Sequence, residues 1–155
     1  MSATRSKDVS DNTADREIVV VRVFDAPCNV VWESWSDPEQ LKLWFGPNGF
    51  TNTFEEFDFR PDGHWRFVMH GPDGTNFKNH NQFVEIRRPE LIVMDHLEEP
   101  KFRVTITFMD IGGKTQMTFR QVFDSAETLD RVKPYAVPGT QQTLDKLASH
   151  IATRR

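Results

Sequence analysis

The chain switches between two hydrophobic periods, and each switch marks an element. The Val-rich run from Glu17 to Phe24 predicts a first strand. Asp25-Ala26-Pro27 then opens a helix, with proline at or near its first position. Cys28, Val31, Trp32 and Trp35 follow at the i, i+3, i+4, i+7 spacing of one buried face. Asp37-Pro38-Glu39-Gln40 starts a second helix in which Asp37 suits the N-cap, Pro38 the first turn and Gln40 the capping-box position. Leu41, Trp44 and Phe45 share its apolar side, and Gly46-Pro47-Asn48-Gly49 ends it.

From Phe50 the period becomes two. Phe57 and Phe59 lead into the turn Arg60-Pro61-Asp62-Gly63, after which Trp65, Phe67 and Met69 alternate with Arg66, Val68 and His70. Gly71-Pro72-Asp73-Gly74 signals a turn. A strand from Thr75 to Arg87 follows, then Arg88-Pro89-Glu90, then a strand from Leu91 to His96. Phe102, Val104, Ile106 and Phe108 alternate with polar residues up to the hairpin turn Asp110-Ile111-Gly112-Gly113-Lys114, and Thr115 to Phe123 alternate after it. Such short connections imply antiparallel neighbours. Ser125 to Val132 predicts a short helix, and a final helix runs from Pro138-Gly139 to about Thr153 with Leu144, Leu147, Ala148 and Ile151 as its apolar stripe. A helix with one apolar face must bury it, and the inner face of a curved sheet is the available surface.

At 155 residues the chain suits one domain, here residues 16–155, preceded by a polar tail over 1–15 that is expected to be disordered. The net charge of −4 gives no electrostatic footprint for nucleic acid. No segment approaches the ~20 apolar residues that span a bilayer. A single cysteine, Cys28, excludes an intrachain disulfide. With no apolar leader, that predicts a soluble, cytoplasmic protein. Phe is abundant, at 13 residues, which points to an aromatic core or cavity wall.

Catalytic motifs are scarce. No Gly-x-Ser-x-Gly, phosphate loop or dinucleotide fingerprint is present, and the five histidines lack metal-ligand spacing, so neither metal nor cofactor is expected. Glu55-Glu56 and Glu98-Glu99 are sequence neighbours that point to opposite faces of a strand, so neither pair forms a dyad by itself. Cys28 falls on a buried helix face and reads as a small core residue. His80 is the candidate titratable group. If the Gly71–Gly74 turn pairs His70 with Thr75, Trp65 falls opposite His80, which then shares the Trp65–Phe67–Met69 face. The alternative is a His80 bonded to backbone or turned outward after a bulge, because a one-residue slip reverses the face. The same register puts Met94, His96, Phe83 and Asn81 on the face away from His80. Both faces would then be apolar here, through a bulge in Asn76–Gln82 or a covering partner such as a homodimer mate.

The segments Ala26-Pro27-x-x-Val30-Val31-Trp32, Asp37-Pro38-Glu39-Gln40-Leu41, Trp44-Phe45-Gly46-Pro47, Arg60 to Gly74, Glu85-Ile86-x-x-Pro89-Glu90-Leu91 and Leu144 to Ile151 occur in an order that resembles the helix-grip, START/Bet v 1-like superfamily. Within it, the chain is similar to the family related to the C-terminal domain of the heat-shock-protein-90 ATPase activator, over residues 17–152. The resemblance implies an α+β helix-grip fold: a curved antiparallel β-sheet wrapped around a long C-terminal helix, with two short helices after the first strand. It also implies a pocket for a small hydrophobic ligand, and supplies no catalytic motif. Where many relatives carry Trp after the Gly of the last helix, Thr140 follows Gly139 here, which enlarges or polarises one end of that pocket. The resemblance does not reach the separate N-terminal domain that the eukaryotic activator uses for part of its chaperone contact.

Trp44, Trp65, Phe67, Met69, Phe119, Tyr135 and Leu144 are the candidate wall, with His80 and Tyr135 fixing the ligand's orientation. Periodicity alone reads the same residues as a filled core. Three functions follow: a binder of a small hydrophobic or aromatic ligand, an enzyme of cyclase or hydrolase type acting on an aromatic or polyketide-like substrate through His80, or a stimulator of a heat-shock ATPase. The expected partners are a small hydrophobic ligand and, by resemblance alone, a chaperone; nucleic acid and membrane are not expected.

Overall fold

The computed structural model describes residues 13–154. The tail expected over 1–15 lies outside the described residues as far as residue 12, and its last three residues are part of the fold. Thr13 is buried, donates to the Glu17 carboxylate at 2.9 Å and accepts from Arg120 at 2.6 Å, while Ala14–Arg16 form a 3-10 turn. These ties are polar, so a hydrophobic pattern does not register them.

Strand β1 (Glu17–Phe24) is followed by helices α1 (Cys28–Ser36) and α2 (Pro38–Trp44). Then come β2 (Thr51–Phe57), β3 (His64–His70), β4 (Asn76–Arg87), β5 (Leu91–His96), β6 (Phe102–Ile111) and β7 (Lys114–Phe123), and helix α3 (Ala126–Ala152) closes the chain. All strands join one curved antiparallel sheet in the order β1-β7-β6-β5-β4-β3-β2. Gly112 and Gly113, both at positive φ, make the two-residue turn that pairs Ile111 with Lys114. Among the described residues no helix is long and apolar enough to cross a membrane.

The inner face is set by register. One row crosses five strands as Trp65, Asn81, His96, Phe102 and Phe123, and the next runs Phe83, Met94, Val104, Gln121 and Ile18. Bulges between Phe54 and Glu56 and between Phe83 and Glu85 restore inward facing for Phe57 and Ile86. Arg22 also points inward from β1, and its guanidinium reaches α3 at the Gln141 side chain (2.7 Å) and the Asp145 carboxylate (2.9 Å).

The α1–α2 corner is knit by its own side chains. Asp37 caps α2 by accepting from the Glu39 amide at 3.0 Å, and Gln40 donates to the same carboxylate at 3.3 Å instead of to the N-cap backbone. Trp44 Nε1 donates to the Ser34 carbonyl at 3.1 Å, and Trp35 meets Trp44 edge-on at 4.8 Å. Cys28 is half-buried, and its Sγ accepts from the Thr115 hydroxyl at 3.5 Å.

The two C-terminal helices expected from sequence are one helix of 27 residues, capped by Ser125 and containing Pro134 and Pro138. Proline removes a backbone donor and usually ends a helix. Here Leu129 and Val132 on one side of the prolines, and Leu144, Leu147 and Ile151 on the other, are all buried, and that burial carries the helix through.

Candidate functional site

A chamber of about 280 Å³ lies between the inner face of the sheet and α3. Its wall is built from Trp35 on α1, the loop residues Phe45, Gly46 and Pro47, Phe67 and Met69 on β3, and Val104, Phe102 and Phe119 deeper in the sheet. From α3 come Tyr135, Ala136, Gly139, Thr140, Thr143 and Leu144. Polar atoms enter at Asn79, Asn81, His96 and Gln121. No Asp, Glu, Lys or Arg is among the lining residues.

The loop after α2 forms the rim and is held from both sides. Lys146 of α3 donates to the Gly46 carbonyl at 3.1 Å and to the Pro47 carbonyl at 3.2 Å, and burial pulls its pKa below the usual lysine range. Gln142 accepts from the Asn48 amide at 3.0 Å, and Asn52 donates to the Phe45 carbonyl at 2.8 Å. Gly46 sits at φ +105, and a Cβ there would lie 2.9 Å from Met69 Cε, so the rim needs glycine at this point.

His96 stacks on Phe102 with ring centroids 4.5 Å apart. Its Nδ1 lies 2.9 Å from the Glu98 carbonyl and 3.0 Å from that of Pro100, and its Nε2 lies 2.9 Å from Asn79 Oδ1. Burial lowers its pKa, against the upward pull of the Pro100 and Glu98 carbonyls. Between two carbonyls, Nδ1 keeps its proton. Neutral His96 therefore offers Nε2 as an acceptor and calls for the amino side of Asn79, while the imidazolium fits Oδ1 where it stands. Asn81 is 5% exposed, and its carboxamide makes no hydrogen bond among the described residues.

Of the residues singled out by sequence, Phe67, Met69, Phe119, Tyr135 and Leu144 line the chamber. Tyr135, 65% exposed, stands at its mouth. Trp44 and Trp65 do not line it. Both are buried behind the wall, Trp44 through its bond to Ser34 and Trp65 through stacking on Phe67 at 4.3 Å. Placing His80 in the pocket is corrected. His70 pairs with Asn76 rather than Thr75, so Trp65 faces Asn81, and His80 pairs with Arg66 on the outer face. There its Nε2 lies 2.7 Å from His64 Nδ1, and partial burial and then Arg66 lower its pKa. The same one-residue change puts Phe83, Met94, His96 and Asn81 on the Trp65 face, so that the two-faced apolar pattern, and the need to cover it, disappear.

Trp35, Phe45, Asn79, Asn81, His96 and Gln121 were not singled out as wall residues. The conflict between the Trp65 face and the Phe83–Met94 face held the signal, since lengthening the turn by one residue resolves it. Among the described residues no cluster of three His, Cys, Asp or Glu could hold a metal ion.

The sequence profile described as activator of Hsp90 ATPase homolog 1-like protein matches residues 25–152. A solution structure of a protein from Arthrobacter aurescens is similar, with a TM-score of 0.84 and 26% identity, covering 91% of this chain and 88% of that one. A crystal structure from Mycobacterium smegmatis has a TM-score of 0.82 at 23% identity, covering 92% and 95%. The AHSA1 protein of Silicibacter pomeroyi has a TM-score of 0.72 at 19% identity, covering 90% and 99%. The last two likenesses speak for the fold alone. No curated protein matches the chain.

Proposed function

The chain belongs to the activator of Hsp90 ATPase homolog 1-like family, and on that premise we propose that it binds a small hydrophobic or aromatic molecule in the chamber under α3. The observation that carries this is the unfilled space of about 280 Å³ whose wall is mostly aromatic and aliphatic and holds no charged side chain. A core that needed only to be stable would close such a space, because each lost contact and each void weakens packing. An apolar cavity of ~150 Å³ already takes up benzene, so this one has room for about two rings. The cyclase or hydrolase alternative required a titratable group free inside the pocket. His80 lies outside it, and both His96 ring nitrogens are engaged.

The test is a thermal-shift panel of one- and two-ring aromatic compounds against the wild type and Thr140→Trp, which places an indole in the chamber. A ligand at 100 times its Kd should add about 2.7 kcal/mol. An upward shift in wild type that is lost in a cooperatively melting Thr140→Trp supports the reading. No shift across the panel, or an equal shift in the plugged variant, removes it. Stimulation of a heat-shock ATPase, the activity in the family's name, would then be the next proposal, tested by chaperone turnover with and without the chain.

A further inference from the structure

Resting on the ligand-binding reading above, we propose that the chamber selects an uncharged ring compound bearing a hydroxyl or amide, and that the Asn81 carboxamide holds its polar end. The register turns Asn81 inward, opposite Trp65 on one side and His96 on the other. Its neighbours on the same face are already engaged. Asn79 meets His96 Nε2 at 2.9 Å, and His96 meets the Glu98 and Pro100 carbonyls. Asn81 lines the chamber at 5% exposure with a side chain that makes no hydrogen bond among the described residues, while Gln121, Thr140 and Tyr135, the other polar lining side chains without one, are more exposed. The amide is not among the fully buried side-chain atoms that lack a partner, so it opens onto the chamber space, where a polar group of a ligand can meet it. A carboxamide presents donors and an acceptor side by side, which a hydroxyl or an amide matches and a bare hydrocarbon does not.

Charge is selected against by the same wall. No Lys or Arg lines the chamber, and the ammonium of Lys146 is turned to the Gly46 and Pro47 carbonyls. A carboxylate would enter without a counter-charge, which burial penalises heavily.

The experiment is a ligand-observed NMR titration of wild type and Asn81→Leu with naphthalene, 1-naphthol and 1-naphthoate at pH 7. In wild type, 1-naphthol should bind about tenfold more tightly than naphthalene, the value of one neutral hydrogen bond, and 1-naphthoate should bind most weakly. In Asn81→Leu the preference for the hydroxyl should vanish. Equal binding of naphthol and naphthalene to wild type, tightest binding by naphthoate, or a preference that survives Asn81→Leu overturns this proposal and leaves the chamber reading standing. Failure of all three probes to bind overturns both. The comparison of probes in wild type decides the ligand class even if the variant does not fold.

Discussion

Trp65 and Asn81 face each other across the β3–β4 ladder, and neither satisfies the other: the indole Nε1 is buried without a partner, while the carboxamide, open to the chamber, makes no side-chain hydrogen bond among the described residues. Replacing Asn81 by leucine removes one unpaired polar group and adds apolar surface beside an open space. Asn81→Leu should therefore raise stability by about 1 kcal/mol, read as a higher urea midpoint at an unchanged m-value. A lower midpoint would mean that the amide is bonded in solution.

Lys146 fastens the rim of the chamber to α3 through two carbonyls. Lys146→Met keeps the aliphatic stem and deletes both bonds. We expect a loss of about 1–2 kcal/mol, given charge-assisted bonds that are partly exposed. Amide exchange at Asn48 and Phe50 should rise more than exchange in the β6–β7 hairpin. Uniform acceleration everywhere would show that the lysine acts on global stability instead.

Gly46 permits its neighbours' positions in two ways, by a φ of +105 and by leaving room for the Met69 methyl. The methyl can move aside, but the backbone angle cannot be relieved so easily. Gly46→Ala should cost about 1–2 kcal/mol, and Gly46→Ala combined with Met69→Ala should recover only the smaller, steric share. Full recovery in the double variant would place the whole effect on the contact.

His96 sets a pH dependence whose sign follows from its surroundings. Burial holds its folded pKa below the ordinary value of about 6.5. Between the folded value and about 6.5 the unfolded chain binds more protons, so stability rises with pH there and is lost as pH falls through that window; above it this group contributes no slope. His80 and His150 are shifted in the same direction and add to the trend. Melting temperature should drop between pH 7 and pH 5, with a shallower drop in His96→Gln. The ring nitrogens should report a proton on Nδ1 at pH 7.5. A slope of opposite sign, or a proton on Nε2, would contradict the arrangement.

The elements were legible where the chain announces them locally. Asp37-Pro38 marks a helix start, Gly112-Gly113 a two-residue turn, and the alternation from Phe102 to Phe123 a hairpin, because each depends on residues within a few positions. The site was legible only in part. Phe67, Met69, Phe119 and Leu144 follow from periodicity, but the inward set of β4 depends on one residue of turn length between His70 and Asn76, which no local composition specifies. Trp44 and Trp65 show the complementary limit: both are aromatic and inward, and only packing distinguishes a wall from what stands behind it.

Pro134 and Pro138 leave the carbonyls of Asp130 and Pro134 without their helical amide donors, in the stretch of α3 that passes over the chamber mouth. Mechanically, α3 is two anchored segments joined by a stretch with fewer backbone bonds of its own. The first is pinned to the core by Leu129 and Val132, the second by Leu144, Leu147 and Ile151. Tyr135, one residue past the first proline, lies in that joining stretch at the chamber mouth.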